Sequence, residues 1–164
     1  AAVNFNLETL VAFGGHATGD TLLNIEASVG SGFDDTMISG SENATFWGYD
    51  GNDRLFGQGG NDRLLGQGGN DQINGGSGND TIDGGAGVDR FVFDSAAFGN
   101  DIIQNFDADG NDYLDFRGSG LTASTMQVVA SGVNTLVTFT DNIGQSLTFT
   151  NLASTSLDTS DWLF

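Results

Sequence analysis

The sequence predicts an all-β fold: a parallel β-roll of nonapeptide repeats followed by a β-rich C-terminal cap. Three observations carry that expectation. Five nine-residue units run without a gap from Gly48 to Val92, each with glycine first and fourth, aspartate sixth and an apolar residue eighth. Elsewhere apolar and polar residues alternate with the period of two that half-buried strands show. Helical periodicity is thin, confined to Leu121–Val129 and the final dozen residues, where a turn or two could form.

In chain order, Val3, Phe5 and Leu7, then Val11 and Phe13, mark one or two short strands before the Gly14–Asp20 loop, and Thr21–Val29 returns to a strand pattern. Residues 1–29 are therefore expected to supply capping strands. Extending the register backwards gives a sixth unit, Gly30–Ile38, with Asp35 and Met37 in phase. The unit between, Ser39–Trp47, keeps Phe46 but has Ala44 where the aspartate belongs. The roll is thus expected over 30–92. Over 93–164 the period disappears, and Asp101–Phe106, Tyr113–Phe116, Val133–Thr140 and Gln145–Asn151 read as strands, the last two as a hairpin around Asp141–Gly144.

Each unit divides into a six-residue glycine-rich turn and a three-residue strand with its apolar middle residue inward. Two units make a coil, and stacked coils lie about 4.8 Å apart, which puts residues eighteen apart above one another. One edge then carries Asp35, Asp53, Asp71 and Asp89, the other Asp62 and Asp80 with Ala44 as a gap. Such a roll should not stand alone. One buried aliphatic side chain contributes roughly 2 kcal/mol per unit, whereas ordering nine residues costs on the order of 10 kcal/mol, and stacked carboxylates repel. A hard dication reverses the balance. Calcium accepts six to eight oxygens in loose geometry, while magnesium demands a strict octahedron.

These units, Gly-Gly-x-Gly-x-Asp-x-apolar-x in outline, resemble the RTX (repeats-in-toxin) family, whose motif marks a calcium-binding parallel β-helix. The resemblance implies a right-handed roll with each ion held between turns one coil apart by aspartates and main-chain oxygens. The implied metal positions are Asp35, Gly48, Asp50, Gly51, Asp53, Gly57, Gly59, Asp62, Gly66, Gly68, Asp71, Gly75, Ser77, Asp80, Gly84, Ala86 and Asp89. Turn pairs 48–53/66–71, 57–62/75–80 and 66–71/84–89 are complete, 30–35/48–53 is nearly so, and 39–44/57–62 lacks its aspartate. About four calcium ions, in a range of three to six, follow, and Ala44→Asp should mend the broken edge.

Asp107 and Asp109 imitate the start of an EF-hand loop, but Asp112 stands where that loop needs glycine. A polar turn is the simpler reading; an extra metal site there would draw on Asp101, Asp107, Asp109 and Asp115. His16, the single histidine, has no second histidine or cysteine to complete a zinc site. Trp47, Tyr49 and Phe56 sit close in sequence and suggest packing, or a sugar-stacking surface.

With 22 acidic and four basic residues the formal charge is −18, which repels nucleic acid and anionic membrane and favours cations. There is no cysteine to staple the fold. No window approaches a membrane span, and no signal-peptide pattern opens the chain. An initial alanine leads us to expect a piece of a longer protein. No nucleophile–base pair or zinc cluster stands out, so the expectation is not an enzyme. Phe91–Asp94, Asp101–Phe106 and Asp161–Phe164 are similar to the region that follows such arrays in bacterial proteins leaving by type I secretion. The resemblance implies a secreted or surface location, an uncleaved C-terminal export signal and the type I apparatus as a partner. The alternatives are a calcium-dependent adhesion module that binds glycans or its own kind, and an accessory module of an N-terminal secreted enzyme.

Overall fold

The computed structural model describes residues 21–23, 27–95, 97–106, 112–140, 144–153 and 156–164. The expected strands around Val3–Phe13, the His16 loop, and Asp107 and Asp109 lie outside them. Two sheets face each other. The first orders β1 (Thr21–Leu23), β3 (Thr36–Ile38), β5 (Arg54–Phe56), β7 (Gln72–Asn74), β9 (Arg90–Val92), β11 (Tyr113–Asp115) and β15 (Trp162–Leu163), all parallel. The second starts from β2 (Ala27–Val29) and runs through β4 (Thr45–Asp50), β6 (Arg63–Gly68), β8 (Thr81–Ala86) and β10 (Asn100–Gln104) to β14 (Ser146–Phe149), again parallel. It ends in the antiparallel strands β13 (Asn134–Phe139) and β12 (Met126–Ser131). No α-helix occurs among the described residues.

From β1 to β11 consecutive strands fall on opposite sheets, and within the repeats the register is eighteen residues: Thr36 lies beside Arg54, Arg54 beside Gln72 and Gln72 beside Arg90. The eighth-position residues Met37, Phe46, Leu55, Leu64, Ile73, Ile82 and Phe91 are buried between the sheets, as the pattern requires. Ile103 and Leu114 continue the two columns beyond the repeats. The thicker end is closed by aromatics: Phe93 stacks on Phe116 at 5.0 Å, and Phe106 meets Phe149 edge-on at 5.1 Å. Rings of this size seal an open coil end that one aliphatic residue per turn could not.

One expectation changes and two are filled out. Thr21–Val29 holds two strands, one in each sheet, which form a first coil. Leu121–Val129 begins with hydrogen-bonded turns, Thr125 N–H donating to Thr122 O and Met126 N–H to Ala123 O, and then enters β12, because Gly132 at φ 69° opens a two-residue turn that zips Met126–Ser131 onto β13. The final dozen residues hold a 3₁₀ turn at Ser156, whose N–H donates to Ala153 O at 2.9 Å, before Trp162–Leu163 pair as β15 with β11.

Candidate metal centre

Every turn delivers its aspartate to the sheet edge in the same way. Asp53 Oδ1 accepts the Asp35 N–H at 2.8 Å, Asp71 Oδ1 that of Asp53, and Asp89 Oδ1 that of Asp71. On the other edge Asp62 Oδ1 takes the Ala44 N–H at 2.6 Å and Asp80 Oδ1 the Asp62 N–H at 2.8 Å. The rail extends past the repeats: Asp101 accepts from Asp80, and Asp112 from Asp89. A second rail runs the opposite way at fifth positions. Asn52 Oδ1 accepts the Asn70 N–H, Asn61 that of Asn79, and Asn79 that of Asn100, at 2.8 to 2.9 Å. Together they pair backbone donors that the turns would otherwise leave open.

The other carboxylate oxygen is treated differently. Oδ2 of Asp53, Asp62, Asp71, Asp80 and Asp89 is buried without a hydrogen-bond partner among the described residues. Each points at the first-position glycine of its own turn: a Cβ on Gly48, Gly57, Gly66, Gly75 or Gly84 would stand 2.1 to 2.3 Å from it. In the three complete turn pairs the carbonyl of the next coil's first glycine enters the same place, Gly66 O, Gly75 O and Gly84 O lying 2.5 to 2.6 Å from that Cβ position. Glycine is obligatory here because any side chain would fill the cradle.

An orphaned carboxylate oxygen facing a carbonyl oxygen across a cradle is an arrangement of acceptors with no donor. Two such oxygens repel unless a cation lies between them, and hard oxygens suit calcium. Among the described residues no three acidic or histidine side chains converge, so most ligands would be main-chain oxygens. Desolvation opposes the charge, pushing Asp53 and Asp89 up to about 6, Asp62 and Asp71 to about 7 and Asp101 to about 8. Neighbouring carboxylates add to the rise at all five, as Asp89 and Asp53 do at Asp71 and Asp80 does at Asp101.

The turn pairs differ in ways the spacing does not show. Asp35 Oδ2 is already satisfied by the Ser31 N–H and hydroxyl, at 2.6 and 2.9 Å. In the broken pair the Ser39 hydroxyl donates to Gly57 O, so this cradle is closed from within and Ala44→Asp alone would not reopen it. Asp50, Gly59, Gly68, Ser77 and Ala86 also stack a coil apart, Asp50 beside Gly68 and Gly59 beside Ser77. Gly51, at φ 129°, packs against the Phe33 carbonyl of the coil before it. Of the extra candidates, Asp101 joins the rail, but Asp115 faces the guanidinium groups of Arg117 and Arg90, which hold its carboxyl well below the usual carboxylate range. Two cations already neutralise it, which removes the reason to add a third. Trp47 and Tyr49 lie on β4 and Phe56 on β5, in opposite sheets, so they do not form one aromatic surface.

Asp112, Ser39 and the asparagine rail were missed from sequence. Gly99-Asn-Asp101 and Gly110-Asn-Asp112 repeat the Gly-Asn-Asp of four units, and that tripeptide was the available signal. It is hidden because the spacing to the previous rung grows from 18 to 21 and 23 residues.

Fold and site together define a repeat roll with cation-ready edges. A profile of the RTX calcium-binding nonapeptide repeat (4 copies) matches residues 29–64, 56–91 and 65–103, and residues 29–103 belong to that family. The chain therefore contains a calcium-binding repeat module. Among solved structures it is similar to the AlgE6R3 subunit of the Azotobacter vinelandii mannuronan C5-epimerase, with 27% identity over 82% of this chain and 80% of that one and a TM-score of 0.55. The AlgE6R2 subunit of the same epimerase gives 26% identity, 83% and 91% coverage and a TM-score of 0.53. Among curated proteins none matches.

Proposed function

We propose that this chain is a non-catalytic folding switch: unfolded where calcium is scarce, folded outside the cell where it is abundant, and carried out by type I secretion as part of a larger protein. The five buried, unpaired Oδ2 atoms carry the reading. Asp53, Asp62, Asp71, Asp80 and Asp89 would hold the ions with carbonyls of the facing first-position glycines, about four ions in all, and calcium would supply the positive charge that lets these oxygens be buried together. Asp101 and Asp112 would close the last rung on each edge. A ligand that binds only the folded state stabilises it by about 2.7 kcal/mol per site at a hundredfold excess over Kd. Several coupled sites therefore turn a modest calcium gradient into an all-or-none transition, which would bias export outward.

The similarity to subunits of a polysaccharide epimerase favours a second reading of what the switch serves, an accessory module beside a secreted carbohydrate-acting enzyme. No helix among the described residues is long and apolar enough to cross a membrane. Calcium titration followed by circular dichroism and calorimetry tests the switch. Sheet signal and ion uptake should rise together, and equal sheet content in chelator and in millimolar calcium would refute it.

A further inference from the structure

A cleft of about 520 Å³ lies on the outer face of the seven-stranded sheet, bordered by the turns that carry Asp62 and Asp80 but lined by neither aspartate, within the size range of small-ligand sites. Its floor is a column of neighbouring outward positions, Ile38, Phe56 and Asn74, in register on β3, β5 and β7. Gln58, Ser77 and Asp94 stand around it.

One feature is unexplained by the fold. Asn74 is only 8% exposed, yet its side-chain amide makes no hydrogen bond among the described residues and lines the cleft. The same column holds valine in the next coil, at Val92, so the roll does not require an amide there. Gln58, held at φ 62° by the same second-position turn geometry as Tyr49 at 80° and Gln67 at 79°, places a second amide at the cleft. The Asn74 and Gln58 amides thus both border the same apolar floor.

We infer that this cleft binds a segment of an uncharged polysaccharide, its C–H faces on Ile38 and Phe56 and its hydroxyls on Asn74, Gln58, Ser77 and Asp94. Amides and hydroxyls both donate and accept, as a hydroxyl-rich ligand needs. No cation lines the cleft, and Asp94 on a chain of net charge −18 opposes carboxylate- or phosphate-bearing polymers. The floor strands are interior to their sheet, with main chains already paired, so an extended peptide cannot add to it as a strand.

The test uses the full calcium-loaded chain, titrated by calorimetry and by ¹⁵N–¹H spectroscopy with cellohexaose, maltohexaose, laminarihexaose and, separately, hexamannuronate. At least one neutral hexaose should bind and shift the side-chain amide signals of Asn74 and Gln58. Asn74→Val should weaken it about tenfold, the loss of one buried hydrogen-bonding group. Gln58→Gly relieves strain, so it should keep the fold while binding sugar several-fold more weakly. Circular dichroism of the same samples separates failure of the calcium switch from failure of the cleft. Binding of no neutral hexaose, preference for hexamannuronate, unmoved Asn74 and Gln58 signals, or undiminished affinity in both variants would overturn the inference.

Discussion

Stripped of metal, this roll should fold in acid and unfold towards neutrality, the reverse of ordinary acid denaturation. Asp62 and Asp71 titrate near 7 in the folded chain against 3.8 for a free aspartate, chiefly through desolvation by burial. For a carboxyl whose folded pKa is raised, stability is fully present below the unfolded pKa and is lost as pH rises through the folded one. Three units are worth about 4 kcal/mol for each of the two residues. With Asp53 and Asp89 near 6 and Asp101 near 8, the combined penalty exceeds the 5–15 kcal/mol by which whole domains are stable. The metal-free chain therefore cannot hold its rails both charged and buried at pH 7.5. The assay is circular dichroism of resin-stripped protein from pH 8 to 4, with sedimentation to establish that the acid form is monomeric. Sheet signal should appear on acidification, mainly between pH 7 and 4, whereas saturating calcium should keep it flat from pH 8 to 6. Stripped protein with the same sheet content at pH 4.5 and 7.5 would refute the reasoning.

Gly66→Ala puts a methyl group 2.1 Å from Asp71 Oδ2 and 2.5 Å from Gly84 O, so calorimetry should count one ion fewer and find a calcium midpoint raised about tenfold. Gly32→Ala, which meets nothing within 4 Å, should leave both unchanged. Ala44→Asp alone should add no ion, because Ser39 still fills the cradle, whereas Ser39→Gly with Ala44→Asp should add one; a gain in the single variant would show that the Ser39 hydroxyl does not close the site.

The roll was legible because its constraints repeat. Position eight must be buried, position six must reach the edge, and position one must lack a Cβ, so Leu55, Asp53 and Gly48 each announce a column. Differences between rungs were not legible, because they depend on which side chain the neighbouring coil presents. Ala44 marked a missing ligand, but only the bond from Ser39 to Gly57 O reveals that the gap has been closed. Beyond Val92 the pairing logic persists while the turn lengths change, so a reading tied to an eighteen-residue step lost Asp112 one rung too early. Strand β12 was missed for a different reason: its pattern is weak, and the turn at Gly132 and the partner strand β13 decide its structure.

The two rails confine the metal dependence to one atom per turn. Turn N–H groups are paired whether or not a cation is present, by aspartate Oδ1 on one rail and asparagine Oδ1 on the other. Of each carboxylate only Oδ2 lacks a partner among the described residues, and in the three complete turn pairs it shares its cradle with a carbonyl of the next coil. Asparagine at position six would keep the Oδ1 acceptor and replace the orphaned oxygen with an N–H₂ donor aimed at that carbonyl, removing the charge as well. Replacing Asp53, Asp62, Asp71, Asp80 and Asp89 together by asparagine should therefore give a roll that binds little calcium yet keeps its sheet signal in chelator at pH 7.5. The corresponding alanines leave the rail unpaired and should not fold under either condition. If the asparagine chain is as unfolded in chelator as the native one, the switch does not reside in the Oδ2 atoms and must be sought in the main-chain oxygens.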